Sequence, residues 1–300
     1  MSLTTSTQVL SLSTGYRRLA DFLELTKPRV SLMVLVTTCV GYYLGADSTP
    51  AVARLIATLV GTALASGGTL ALNQFMERRS DSLMERTRRR PLPDGRIQPA
   101  EALVFGALTA LAGLLVLVVA VNVMSALVTA AIAASDLLAY TPLKQRSSLC
   151  GIVGAVPGAL PPVIGWTAAR GEFGIGAWIL FAILFLWQIP HTLAIACLYR
   201  EDFARAGIRF LPVVEPDGAS TGRQSVGYCL ALLAVSLLPT LMGLAGGMYF
   251  MAALLLGAGM LAHSVRLAAL QNLKAARQLL FASLVYLPLL LAAMALDRIG

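Results

Sequence analysis

Residues 101–121, EALVFGALTALAGLLVLVVAV, carry one ionisable side chain in 21 positions, and residues 123–142, VMSALVTAAIAASDLLAYTP, follow after a single Asn. A helix needs about 20 predominantly apolar residues to cross about 30 Å of hydrocarbon, so each stretch reads as a membrane span. Seven further runs, bounded by charge or by Gly and Pro, lie near residues 30–46, 52–76, 150–168, 175–198, 225–245, 248–265 and 278–296. The expected fold is all-α, a polytopic membrane bundle of about nine transmembrane helices. A cytoplasmic N-terminal segment over 1–29 precedes a single transmembrane domain over 30–300. Gly61, Gly67, Gly68, Gly154 and Gly158 fall inside spans, where small residues let helices approach closely.

Composition agrees. Hydrophobic residues make up 57% of the 300 and charged ones 13%, against about 45–50% and 25% in soluble chains. A mean hydropathy of +0.77 over the whole length excludes a soluble domain with one core. The net charge of +8 from 23 Lys and Arg needs a separate reason. Lys and Arg in short loops favour the cytoplasm, and with nine spans 20 of the 23 share the face of the N-terminus. Arg54, Arg170 and Arg298 fall on the other. This predicts a cytoplasmic N-terminus and an external C-terminus. The first 25 residues lack the apolar core and small-residue cleavage site of a secretory signal. Cys39, Cys150, Cys197 and Cys229 are scattered without C-x-x-C spacing, and read as small buried hydrophobes.

Two loops on the basic face are long and rich in ionisable groups. The first runs from residue 73 to 96, NQFMERRSDSLMERTRRRPLPDGR. On a continuing helix Asn73, Glu77, Asp81 and Glu85 form one stripe. Like charges at that spacing repel, so a cation belongs between them, either a neighbouring Arg or a divalent metal. A solvated, salt-bridged helix end is the plainer alternative. Against it, Asn73 and Glu77 fall at the membrane boundary, where ionisable groups are functional candidates. Mg²⁺ takes oxygen ligands and joins one or two carboxylates to substrate phosphates. Arg86, Arg88, Arg90 and Arg96, with Lys144 and Arg146, supply the charges that phosphate oxygens need.

The second loop spans residues 187–212, WQIPHTLAIACLYREDFARAGIRFLP. On one helix His191, Ile195, Tyr199 and Asp202 share a face, with the imidazole deep and the carboxylate at the rim. His191 reads equally as a hydrogen-bonded core residue, and Pro190 before it favours a kink. Two acidic helix ends beside basic loops suggest a paired-carboxylate diphosphate site over an apolar cavity.

At this point the chain resembles the UbiA superfamily of intramembrane prenyltransferases, and within it the protohaem IX farnesyltransferase branch. The matching pieces are LTKPRV at 25–30, MERTRRRPLP at 84–93, YTPLK at 140–144, PPVIGW at 161–166, FLWQIPH at 185–191 and DFARAGIRFLP at 202–212. The resemblance implies a UbiA-like bundle in which Asn73, Glu77, Asp81 and Asp202 position Mg²⁺ and the diphosphate. Lys27, Arg29, Arg86, Arg90 and Lys144 match basic positions that clamp the diphosphate, and Tyr199 and Glu201 sit beside Asp202. Tyr140 or Trp187 would face the farnesyl cation. His191 would contact haem, as axial ligand or hydrogen-bond partner. Farnesyl diphosphate and protohaem IX (haem B) are then the substrates, haem O the product, and a haem A synthase or oxidase assembly factor a partner; no nucleic acid is expected. The implied location is the bacterial cytoplasmic (inner) membrane, with the mitochondrial inner membrane as the weaker alternative.

The chain departs from the family pattern at three places. Glu77 stands where the motif N-D-x-x-D-x-x-x-D has its middle Asp, Thr192 replaces a Phe after His191, and Asp136 lies in the fourth span. A pairing of Asp136 with Lys144 through Tyr140 fits their spacing of four. Three other functions compete. A UbiA-type enzyme acting on a quinone precursor or chlorophyll-like ring lacks reason for WQIPH with AGIxxLP. A transporter using Glu77 and Asp136 would not gather its carboxylates with Arg at one rim. A non-catalytic haem-holding assembly factor is the third.

Overall fold

The computed structural model describes residues 17–46 and 51–299, so the expected N-terminal segment lies outside the described residues up to residue 16. Residues 17–25 are helical. The bundle follows as α1 (Pro28–Gly45), α2 (Val52–Ser82), α3 (Pro99–Ala120), α4 (Val123–Ala134), α5 (Cys150–Ala159), α6 (Pro161–Arg170), α7 (Ile175–Leu198), the short α8 (Arg200–Arg205) and α9 (Leu211–Val214), then α10 (Ala219–Ser236), α11 (Gly247–Leu270) and α12 (Leu273–Leu296). Among the described residues the β pairing is one isolated bridge, Ala245 to Arg298.

Eight helical stretches are long and apolar enough to cross a membrane, and they coincide with eight of the nine expected runs. The ninth run is α1, whose 18 residues are diluted by Arg29, Thr37, Thr38, Tyr42 and Tyr43. The α5–α6 rod counts as one span, Cys150–Arg170, broken near Leu160 because Pro161 and Pro162 offer no backbone N–H. α2 runs past the end of its apolar stretch, and α10 and α12 begin with polar turns ahead of theirs.

Backbone contact at glycines sets the packing. α2 and α3 meet through Gly61 and Gly68 on one side and Gly106 and Gly113 on the other: a Cβ on Gly68 would lie 2.3 Å from Ala110 N, and one on Gly113 2.3 Å from Ala65 N. In lipid, where apolar burial gives helices no preference for each other, such close van der Waals contact drives association. α1 lies as tightly on α6, where a Cβ on Gly165 would come within 1.9 Å of Thr38 O. α7 is central and touches α5, α10 and α12. Outward, Leu108, Leu111, Leu115 and Val119 of α3 form an exposed apolar stripe, the lipid-facing side of that helix.

Two of the three basic residues expected on the face opposite the N-terminus, Arg170 and Arg298, meet at one end of the bundle. Arg170 Nε donates to Gly45 O at 2.8 Å and Arg298 Nη1 to Tyr43 O at 2.5 Å, both at the C-terminal end of α1.

Candidate functional site at the basic end of the bundle

α2 projects Asn73, Glu77 and Asp81 along one side, as the four-residue spacing requires. Each position holds its own basic partner. Lys27 Nζ donates to Asn73 Oδ1 at 2.9 Å, Lys144 Nζ to Glu77 Oε1 at 2.5 Å, and Arg90 Nη1 to Asp81 Oδ2 at 2.7 Å. Asn73 and Asp81 are buried. Asn73 Nδ2 also donates to Thr141 Oγ1 at 2.9 Å, and that hydroxyl donates to Asp136 O at 2.8 Å.

Lys27 is held in an unusual backbone state, φ 48° and ψ 67°, immediately before Pro28. The left-handed region costs a non-glycine residue of order 1–3 kcal/mol, and a following proline favours extended backbone instead. From this position the ammonium reaches Asn73. Burial, reinforced by Arg90, lowers its pKa to about 8 in spite of Glu77. Lys144 is shifted the other way: burial opposes its charge, but Tyr140 and Glu77 outweigh that and hold it above the ordinary lysine value. Its Nζ lies 4.2 Å over the Tyr140 ring.

Two of the expected alignments are corrected. α2 ends at Ser82, so Glu85 leaves the stripe and lies in a turn, where it pairs with Arg88 at 2.8 Å. α7 ends at Leu198 and the chain turns at Tyr199, φ −112° and ψ 27°, before α8 begins. His191 and Asp202 therefore do not share one helix face. The break turns Asp202 toward the arginine loop, where it accepts from Glu85 N at 3.3 Å and from Arg205. Burial raises the Asp202 pKa, but Arg205 and the loop amides outweigh it and hold the carboxyl below its usual range. Asp81 grips the same loop from the other side through Arg90 and through Thr87 Oγ1, which donates to Asp81 O at 2.8 Å.

The remaining expected residues separate. Arg86 lies 5.4 Å over the Tyr199 ring. Arg29 is exposed, without an ion pair among the described residues. Arg96 is taken up by Asp21, Glu24 and Asp94, tying the 17–25 helix to the loop. The pairing of Asp136 with Lys144 does not form; Lys144 goes to Glu77. His191 stands apart from the carboxylates, with Nδ1 2.7 Å from Ser283 Oγ of α12 and its ring stacked on Trp187 at 4.8 Å. Because Ser283 Oγ already donates to Leu280 O at 2.6 Å, it accepts from Nδ1–H and leaves the His191 Nε2 lone pair available. Thr141 and Gln188 escaped sequence reasoning, although both lie inside recognised motifs.

Beneath the rim an apolar cavity of about 200 Å³ is bounded by Val34, Leu70, Ile132, Tyr140 and Ile164. Around α8, Tyr199, Asp202 and Arg205 border a more polar cavity of about 570 Å³. Among the described residues no three His, Cys, Asp or Glu side chains gather into a metal cluster. The donors at the rim are nonetheless all oxygen, as Mg²⁺ requires, and Mg²⁺ commonly uses one or two carboxylates and completes its shell with water and phosphate. The residues fit such an ion, and beside them Lys144 and Arg90 hold the carboxylates of Glu77 and Asp81 while Lys27 holds the Asn73 amide.

Comparison with known proteins is consistent with this geometry. The model of the UbiA prenyltransferase family matches residues 34–285. The protoheme IX farnesyltransferase of Solibacter usitatus is 47% identical over 289 residues, covering 93% of this chain and 99% of that protein. A structure from work on digeranylgeranylglyceryl phosphate synthase in membranes superposes with a TM-score of 0.81 at 16% identity, covering 94% of this chain and 99% of that one. A UbiA homologue of Archaeoglobus fulgidus bound to GPP and Mg²⁺ has a TM-score of 0.65 at 16% identity, covering 91% and 99%. The chain belongs to the UbiA prenyltransferase family.

Proposed function

We propose that this protein transfers the farnesyl group of farnesyl diphosphate to a vinyl group of protohaem IX, with addition of water, to form haem O. The observation that carries the reading is the one-to-one pairing of Lys27, Lys144 and Arg90 with Asn73, Glu77 and Asp81 directly above an apolar cavity. The near full-length similarity to a protoheme IX farnesyltransferase supports this acceptor, and the Mg²⁺ and GPP bound by the A. fulgidus homologue support the donor chemistry.

Asn73, Glu77, Asp81 and Asp202 would hold Mg²⁺, with one or two carboxylates to each ion, which supplies charge neutralisation at the leaving diphosphate. Lys27, Lys144, Arg86 and Arg90 bind the phosphate oxygens and stabilise the charge that develops as the allylic C–O bond breaks. The cavity keeps bulk water from the farnesyl cation, and the Tyr140 ring at its mouth offers a π face to it. His191 presents Nε2 to haem, oriented by Ser283. The basic end of the bundle faces the cytoplasm, with the N-terminus on that side and the C-terminus outside, and haem O passes to a haem A synthase or oxidase assembly partner.

The test is incubation of the purified protein with haem B, farnesyl diphosphate and Mg²⁺, followed by mass analysis of the extracted haem. Haem O is expected, and His191→Ala is expected to reduce its yield. Absence of haem O, with turnover of a quinone precursor instead, overturns the reading.

A further inference from the structure

Asp136 takes no part in the diphosphate rim, yet it lies close to it. It sits in a π-helical turn, Ser135–Tyr140, at the end of α4. Pro142 accounts for that turn: it has no N–H for the Leu138 carbonyl and its ring crowds that group, so the ladder widens. π-Turns of this kind occur frequently at functional sites. The turn is locked to the rim through the Asp136 carbonyl, Thr141 and Asn73. The Asp136 carboxylate has no hydrogen bond or ion pair among the described residues, and it borders the apolar cavity.

Two more unpaired oxygens border the same cavity. Thr62 Oγ1 is buried without a partner, although Thr58 and Thr69 on the same helix return their hydroxyls to Arg54 O and Ala65 O at 2.7 and 2.8 Å. Gln188 Oε1 is also buried without a partner; its amide packs on Gly158, where a Cβ would lie 2.2 Å from Nε2. A buried polar atom left unpaired costs about 1–3 kcal/mol, so unpaired groups in a native interior call for an explanation. Oxygens from three helices thus border one largely apolar space, and a water bound on its wall would find partners among them, since buried water takes two to four polar partners.

We infer that Asp136, Gln188 and Thr62 hold the water that terminates the reaction, an assignment that rests on the haem-farnesylating reading. As the diphosphate leaves, farnesyl C1 bonds to the outer carbon of the vinyl group and the positive charge moves to the carbon attached to the porphyrin. The water oxygen bonds to that carbon. One of its protons goes to the Asp136 carboxylate, while Gln188 Oε1 and Thr62 Oγ1 orient the attack. Without that water the cation loses a proton from the neighbouring carbon and closes to an alkene, one water lighter than haem O. The polar spot would thus hold a water on the wall of a largely apolar cavity.

The experiment compares full-length wild type with Asp136→Asn and Gln188→Met, given haem B, farnesyl diphosphate and Mg²⁺, and reads the ratio of hydroxylated to dehydrated farnesyl haem by mass. At least a tenfold rise in the dehydrated fraction is expected for Asp136→Asn, and a smaller rise for Gln188→Met. Thr62→Val, which preserves volume, supplies the ratio in the same direction where an Asp136 variant folds poorly. Farnesylated haem made more slowly at the wild-type ratio overturns the water assignment alone. No farnesylated haem from the wild type overturns the reaction reading, and the assignment with it.

Discussion

Lys144 Nζ stands 2.5 Å from Glu77 Oε1 and 4.2 Å above the ring of Tyr140, so one ammonium bridges the first acidic stripe and the mouth of the apolar cavity. Both members of the ion pair are only 14% exposed, and removing one partner of such a buried pair costs about 3–5 kcal/mol by leaving the other unpaired. Lys144→Met should therefore lower the thermal unfolding temperature in detergent. It should also reduce kcat/KM for the diphosphate by about 10²-fold, the scale of losing one donor to developing charge. The double variant Glu77→Gln, Lys144→Met should regain most of the stability and none of the activity. Recovery of activity with stability would show the pair to be only structural.

Lys27 carries a pH dependence of definite sign. Its pKa of about 8 lies below the ordinary 10.5, so the unfolded chain holds this proton more tightly than the folded one. The cost of burying the charged form is present in full below pH 8 and fades as pH rises toward 10.5. Binding of a diphosphate needs the charged form. As kcat/KM reports groups of the free enzyme, it should fall as pH rises through about 8. Lys27→Arg, whose guanidinium does not titrate in this range, should move that limb upward. A limb at an unchanged pH in Lys27→Arg would assign it to another group.

The membrane fold was legible because it rests on run length alone, and eight of the nine runs recur as apolar helices. The stripe Asn73, Glu77, Asp81 was legible for a different reason, a period of 3.6 on a helix that continues past its apolar run. What failed was continuity. Nothing in the spacing of His191, Ile195, Tyr199 and Asp202 shows that the helix breaks at Tyr199, and Glu85 left its stripe because α2 stops at Ser82. Partner choice was hidden as well: Lys144 has Asp136 within its own segment, but the fold delivers Glu77 from α2. The oxygen of Thr62 gave no signal, since it resembles an ordinary helix residue until three helices enclose the same space, and Gln188, though inside WQIPH, has no spacing that singles it out.

Gly68 tests the α2–α3 contact that carries the stripe. A Cβ there would lie 2.3 Å from Ala110 N and 2.5 Å from Gly106 O, both backbone, so no side chain can turn aside. Gly68→Ala should cost about 1–3 kcal/mol, as overpacking does, and should reduce activity by moving Asn73 and Glu77 away from Lys27 and Lys144. Gly259→Ala in α11 meets nothing within 4 Å and should leave melting temperature and activity in place. Equal melting temperatures for the two variants would contradict the packing.

Asp81 and Asp202 hold the arginine loop from opposite sides, one through Arg90 and Thr87 and the other through the Glu85 amide. The exposed Arg86, Arg88 and Arg89 between them are cleavage points for trypsin, and cleavage needs the loop to leave its two anchors. At neutral pH the depressed pKa of Asp202 keeps its carboxylate charged; the contribution is present above the ordinary carboxyl range and is lost only as pH falls through the lowered value. Asp202→Asn should weaken the amide and Arg205 contacts and raise the tryptic cleavage rate within residues 86–90 severalfold, while cleavage after Arg277 inside α12 stays at its wild-type rate. Asp81→Asn should do the same from the other side. Because the two anchors hold one segment, the double variant should exceed either single. If a diphosphate with Mg²⁺ binds among these residues, its addition should protect the wild-type loop and protect Asp202→Asn less. Cleavage rates indifferent to both substitutions would show that the loop is held by other contacts and that the two acidic motifs act independently.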